Sequence, residues 1–153
     1  MNSIEKISAI RYEYPALTRW GFWPAAQDGF EAARAEMTSQ NAIEEFERAC
    51  QFLTEHCERR QTCSNFSSYG WKHRAEIWFR EVKGKRQYVS NGMLIAAAIA
   101  NGLKIERFPR SPNCRISISK KSWIIPNSAA VPHSAAFSYR SCDAHARARK
   151  PLV

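Results

Sequence analysis

The chain has 153 residues, 44% of them hydrophobic and 24% charged, and a net charge of +9, a composition that can bury a single core. Its longest apolar run, 93–100, falls well short of the roughly 20 residues that cross a bilayer, which excludes a membrane span, and its five cysteines are odd in number and irregularly spaced, which fits reduced thiols better than a secreted disulfide framework. Residues 1–17 mix acidic side chains with a few apolar ones and do not form a signal peptide, so the expected location is cytoplasmic.

Residues 1–40 read as an irregular, aromatic-rich segment. Tyr12, Tyr14, Trp20, Phe22, Trp23 and Phe30 stand among Pro15 and Pro24, with a short helix at 27–37. Packing against a core is the favoured role for such large apolar side chains, ahead of a partner-binding surface.

The first strong helix is expected at 41–58. Asn41 and Glu44 have the spacing of a capping box, and Ile43, Phe46, Cys50, Leu53 and Cys57 form one apolar stripe opposite an acidic face. Ser68 is placed to cap a second helix, 69–82, with Trp71, Ala75, Trp78 and Val82 on its core face. A basic turn, 84–87, leads to Ser90 as the N-cap of a third helix, 91–101, closed by Gly102. That third helix has almost no polar face and should lie at the centre of the fold.

Alternation at 103–106 and 114–119 predicts two short strands joined by the loop 109–113. Trp71, Trp78, Leu94, Ile95, Ile99, Ile105 and Ile116 are the expected core. Residues 122–153 lack either period and read as a disordered or loosely attached basic tail. The expected fold is mostly α with a small β-hairpin (α+β), a three-helix core (41–121) plus hairpin in the order of a winged helix.

Three stretches carry a likeness: Ser67-Ser68-Tyr69-Gly70-Trp71-Lys72-His73-Arg74-Ala75-Glu76, Tyr88-Val89-Ser90-Asn91-Gly92 with the apolar helix that follows, and Pro112-Asn113-Cys114-Arg115-Ile116-Ser117-Ile118. Over roughly 46–119 the chain resembles small proteins of proteobacterial phages, plasmids and other mobile elements. The resemblance implies a genetic context rather than a reaction.

Charge is unevenly spread. Residues 1–58 carry five Lys or Arg against ten Asp or Glu, 59–121 fourteen against three, and 122–153 four against one. A concentrated basic field captures polyanions. Arg59, Arg60, Lys83, Lys85, Arg86, Lys104, Arg107, Arg110 and Arg115 fall in the predicted turns and hairpin, where phosphate contact is their simplest task. A solvated basic surface that aids solubility is the plain alternative. Ser90 and Asn91 join the candidate set because a helix N-terminus offers unpaired N–H groups to an anion, although simple capping is favoured there. The expectation is a nucleic-acid-binding accessory protein, DNA its first partner, gripping mainly the backbone. The rival is a protein-interaction module or inhibitor acting on a host nucleoprotein complex.

Other chemistry is weaker. Tyr69, Lys72, His73 and Glu76 share a helical face and could move a proton, but an intrahelical ion pair is the favoured reading, and no enzyme activity is expected. Cys50, His56, Cys57 and Cys63 match no ordinary zinc spacing, and buried thiols explain them better. No metal, cofactor or membrane partner is expected.

Overall fold

The computed structural model describes residues 1–126. In chain order these form α1 (Ser3–Glu13), β1 (Leu17–Thr18), β2 (Gly21–Phe22), α2 (Phe30–Ala35), α3 (Gln40–Glu55), α4 (Ser68–Val82), α5 (Asn91–Ala100), β3 (Ile105–Arg107) and β4 (Cys114–Ile116), with 3-10 turns at Glu36–Thr38 and Lys120–Trp123. The protein is mostly α with small antiparallel hairpins, β1 with β2 and β3 with β4. The expected order of three helices followed by a hairpin is present as α3, α4, α5, β3 and β4.

Helix α5 is at the centre because no face of it could stay in water. Met93, Leu94, Ile95, Ala96, Ala97 and Ala98 are all fully buried, and the small alanines let α3, α4, α1 and β2 pack close around it. Trp71, Trp78, Leu94, Ile95 and Ile116 are buried as expected, while Ile99 and Ile105 are half-buried against the same cluster. Val82, assigned to the core face of α4, is exposed.

The helix starts differ in detail from the sequence reading. Helix α3 is capped by Ser39, whose hydroxyl accepts from the Ala42 N–H, and Asn41 is exposed within its first turn. Ser67 caps α4 by accepting from the Gly70 N–H. Ser68 instead accepts from the Cys114 N–H at 3.1 Å and ties α4 to β4.

Two boundaries are corrected. Residues 1–40 are not irregular: Asn2 and Glu5 form a capping box for α1, and Ile7 and Ile10 enter the core. Arg34 of α2 donates to the carbonyl oxygens of Arg11, Tyr14 and Leu17, satisfying groups left open where α1 ends. At the other end, 122–126 is not tail. Trp123 and Ile125 are buried, and Trp123 stacks on Phe66 with ring centroids 4.0 Å apart and meets Trp71 edge-on at 5.1 Å. The tail expected beyond lies outside the described residues.

Among the described residues no helix is long and apolar enough to cross a membrane.

Candidate nucleic-acid interface

The connection between α3 and α4 offers no periodic pattern, yet its backbone is held as an irregular third strand beside β4 and the residues that follow. Ser119 N–H donates to Glu58 O at 2.8 Å, Arg60 N–H to Ser117 O at 3.0 Å and Ser64 N–H to Ile116 O at 3.1 Å. His56 and Glu58 are fixed to Ser122 from the same side. On the opposite side, Lys104 exchanges bonds with Ser117: its N–H donates to Ser117 Oγ at 2.9 Å and its carbonyl accepts from Ser117 N–H at 3.0 Å. Ser117 therefore couples two segments more than forty positions apart in sequence.

The result is a groove of about 570 Å3 lined by Arg59, Arg60, Gln61, Thr62, Leu103 and Lys104, among others, with no carboxylate in its lining. Lys104 Nζ donates to Gln61 O at 3.1 Å, and the Arg59 guanidinium lies over Gly102, where a Cβ would sit 3.5 Å from it. All three cations are exposed, and none forms an ion pair within the described residues. Groups of this kind, at an open surface, can exchange hydration and counterions for phosphate oxygens at little desolvation cost.

The remaining basic candidates are divided. Lys83 is committed to Glu55 at 3.4 Å and lies 5.2 Å from the Trp78 ring centre. Arg115 is 3.8 Å from Glu106 and lies over Phe108, and Arg107 stacks on Phe22 at 4.2 Å. Arg110 is exposed at the tip of the β3–β4 hairpin, with a left-handed φ of 57°. Lys85 and Arg86 are exposed after Gly84, and Arg86 lines a different groove. The candidates thus form no single cluster.

Ser90 and Asn91 are withdrawn from the candidate surface. Ser90 is fully buried and its side chain makes no cap bond; its hydroxyl and N–H both donate to Glu45 Oε2. Asn91 is 4% exposed and its Nδ2 donates to Trp20 O, Pro112 O and Asn113 Oδ1. The carboxylate of Glu45, itself buried and paired with Arg19, occupies the N-terminus of α5 where an external anion would have to sit. Glu45 therefore belongs to the interior and not to the acidic face of α3. Its position had a signal: it falls beside Phe46 and between Ala42 and Ala49, on the buried stripe of α3.

The Tyr69, Lys72, His73 and Glu76 face is built as an ion-pair network. Lys72 is 1% exposed, with Nζ 2.7 Å from Glu76 Oε1 and close to the rings of Tyr69 and Tyr88. Glu76 Oε1 also accepts from the Val89 N–H at 3.3 Å, and Oε2 lies 3.3 Å from His73 Nδ1. Burial works to raise the Glu76 carboxyl, but the hydrogen bond from His73 and the charge of Lys72 outweigh it and hold it below the ordinary carboxylate value.

The cysteine set does not assemble. Burial raises the Cys57 thiol strongly and the Cys114 thiol to about 12, and among the described residues no three His, Cys, Asp or Glu side chains are grouped to hold a metal ion. No protein-family model matches the chain, and the searches of curated proteins and of solved structures return no match.

Proposed function

We propose that the protein binds nucleic acid through backbone phosphates, as an accessory factor of a mobile genetic element, with the Arg59, Arg60 and Lys104 groove as its principal contact. The observation that carries this reading is the convergence of three exposed cations, from two segments brought together at Ser117 and by the Lys104 to Gln61 bond, on one groove without a carboxylate. Arg110 at the hairpin tip extends the contact in the manner of a wing, and the buried α5 leaves the interface without an inserted reading helix. Backbone contact without base readout follows. The mobile-element context rests on the Ser-Tyr-Gly and Tyr-Val-Ser-Asn-Gly likeness.

A second reading keeps the same groove and gives it an acidic protein surface, in a complex whose host components it blocks. It is favoured by the pairing of Arg115 with Glu106 and of Lys83 with Glu55, which leaves a patch compact enough for a protein contact. Salt dependence separates the two. Binding to mixed-sequence duplex DNA is measured by anisotropy across a range of salt for the full chain and for Arg59→Ala/Arg60→Ala/Lys104→Ala. The triple change should weaken binding on every sequence and flatten the plot of log affinity against log salt by up to about three units of slope, since each phosphate contact contributes about 0.9. Glu44→Ala, on the exposed face of α3, should leave it unchanged. No affinity for duplex DNA or RNA at low salt, or a slope indifferent to the triple change, refutes the nucleic-acid reading.

A further inference from the structure

Helix α4 and the connection after it enclose a second groove, of about 610 Å3, which shares no lining residue with the basic one. His73, Glu76, Ile77, Arg80, Arg86 and Tyr88 line it. The charge of Glu76 is already matched by the buried Lys72 ammonium, so the surplus in the groove is positive. Among the described residues the ion-pair partner of Arg80 is its neighbour Glu81, at 2.9 Å and half in water, a pair of the kind that contributes little and yields readily to a stronger anion. Arg86 is exposed and has no ion-pair partner among the described residues. His73 is 41% exposed, with Nδ1 against Glu76, and in its imidazolium form Nε2 is left to donate to a ligand. Ile77 and Tyr88 supply an apolar wall.

That wall is fixed in place. The Tyr88 carbonyl accepts from Arg48 at 2.9 and 3.1 Å, the Val89 N–H donates to Glu76, and the Ser90 N–H donates to Glu45 at 3.2 Å. Three consecutive backbone positions are thus held by side chains of α3 and α4, and a ligand would not bear the cost of ordering them. Two guanidinium forks and an imidazole match a compact phosphate, and a tyrosine beside an aliphatic side chain matches a flat ring.

We propose that this groove binds a nucleoside 5′-monophosphate, the phosphate on Arg80, Arg86 and His73 and the base against Ile77 and Tyr88. The ligand is either a free nucleotide or the 5′-phosphorylated end of a strand, which share this chemistry. The assignment does not depend on the backbone-binding groove.

Titration calorimetry on the full chain at low ionic strength tests it with adenosine 5′-monophosphate, adenosine, inorganic phosphate and a 5′-phosphorylated tetranucleotide. The monophosphate should bind at least tenfold more tightly than adenosine or phosphate. Arg80→Ala and Arg86→Ala should each weaken it about tenfold without moving the melting temperature, because both side chains are exposed. Arg59→Ala/Arg60→Ala/Lys104→Ala should leave it unchanged. On the triple variant, whose basic groove is removed, a tetranucleotide that binds as tightly as the monophosphate admits strand ends to the site, and exclusion of the tetranucleotide assigns it to free nucleotides. The proposal is overturned if the monophosphate binds no better than its parts, if neither arginine change weakens it, or if the triple change weakens it equally.

Discussion

Gly92→Ala sets two physical effects against each other. Gly92 lies in the first turn of α5, where alanine is the better helix former and would stabilise by about 0.5–1 kcal/mol on propensity alone. The turn of the β1–β2 hairpin, however, rests directly on it. The Gly92 N–H donates to Arg19 O at 2.9 Å, and a Cβ would overlap the Thr18 carbonyl oxygen and lie 2.5 Å from the Arg19 carbonyl group. These are backbone atoms and cannot rotate away. The hairpin must withdraw, losing the Gly92 to Arg19 bond and the Asn91 to Trp20 bond, at about 1 kcal/mol each, with a further ~1–3 kcal/mol of overpacking strain. The net expectation is a loss of about 2–4 kcal/mol, read as a lower urea midpoint with an unchanged slope. An unchanged or higher midpoint would show that the hairpin yields freely and that its docking on α5 is not part of the core.

Two further outcomes follow from the same packing. Because the Glu76 pKa is depressed in the fold, its contribution is present above the unfolded carboxylate value and is lost as pH falls through the folded value. The stability difference between the protein and Glu76→Gln should therefore shrink from about pH 4 downward, and a difference that grows toward acid would reverse the assigned sign. A chain ending at Lys121 lacks Trp123 and Ile125, both buried. It should be less stable than one ending at Pro126 by about 5 kcal/mol or more, with equal melting curves as the result that excludes these residues from the core.

The helices legible in the sequence are those whose burial is periodic. Helices α3 and α4 carry stripes at three and four spacing, and α5 is apolar nearly throughout. Helix α1 was not legible because only Ile7 and Ile10 are buried, while Ile4 and Tyr12 point into water; two residues do not make a stripe. The β1–β2 pair has two residues in each strand, too few for alternation to register. Trp123 and Ile125 read as tail in the sequence because a short apolar run after a basic stretch has no period, and what fixes Trp123 is Phe66 and Trp71, more than fifty positions earlier.

The candidate surface was legible by residue type and not by pairing. Basic residues in turns read as available in the sequence, but whether each is available depends on acids and rings far away in sequence: Glu55 for Lys83, Phe22 for Arg107. The same dependence governs the interior charges. Glu45 and Lys72 both fall on buried stripes of their helices, and an ionised group can be buried there only with partners already in place. Arg19 and Ser90 meet that condition for Glu45, and Glu76 meets it for Lys72. Once Glu45 accepts from Ser90 at the start of α5, the anion-attracting end of that helix is satisfied from within. A phosphate then finds no place at that helix end, and both proposed sites are built instead from cationic and imidazole side chains on loops and an exposed helix face.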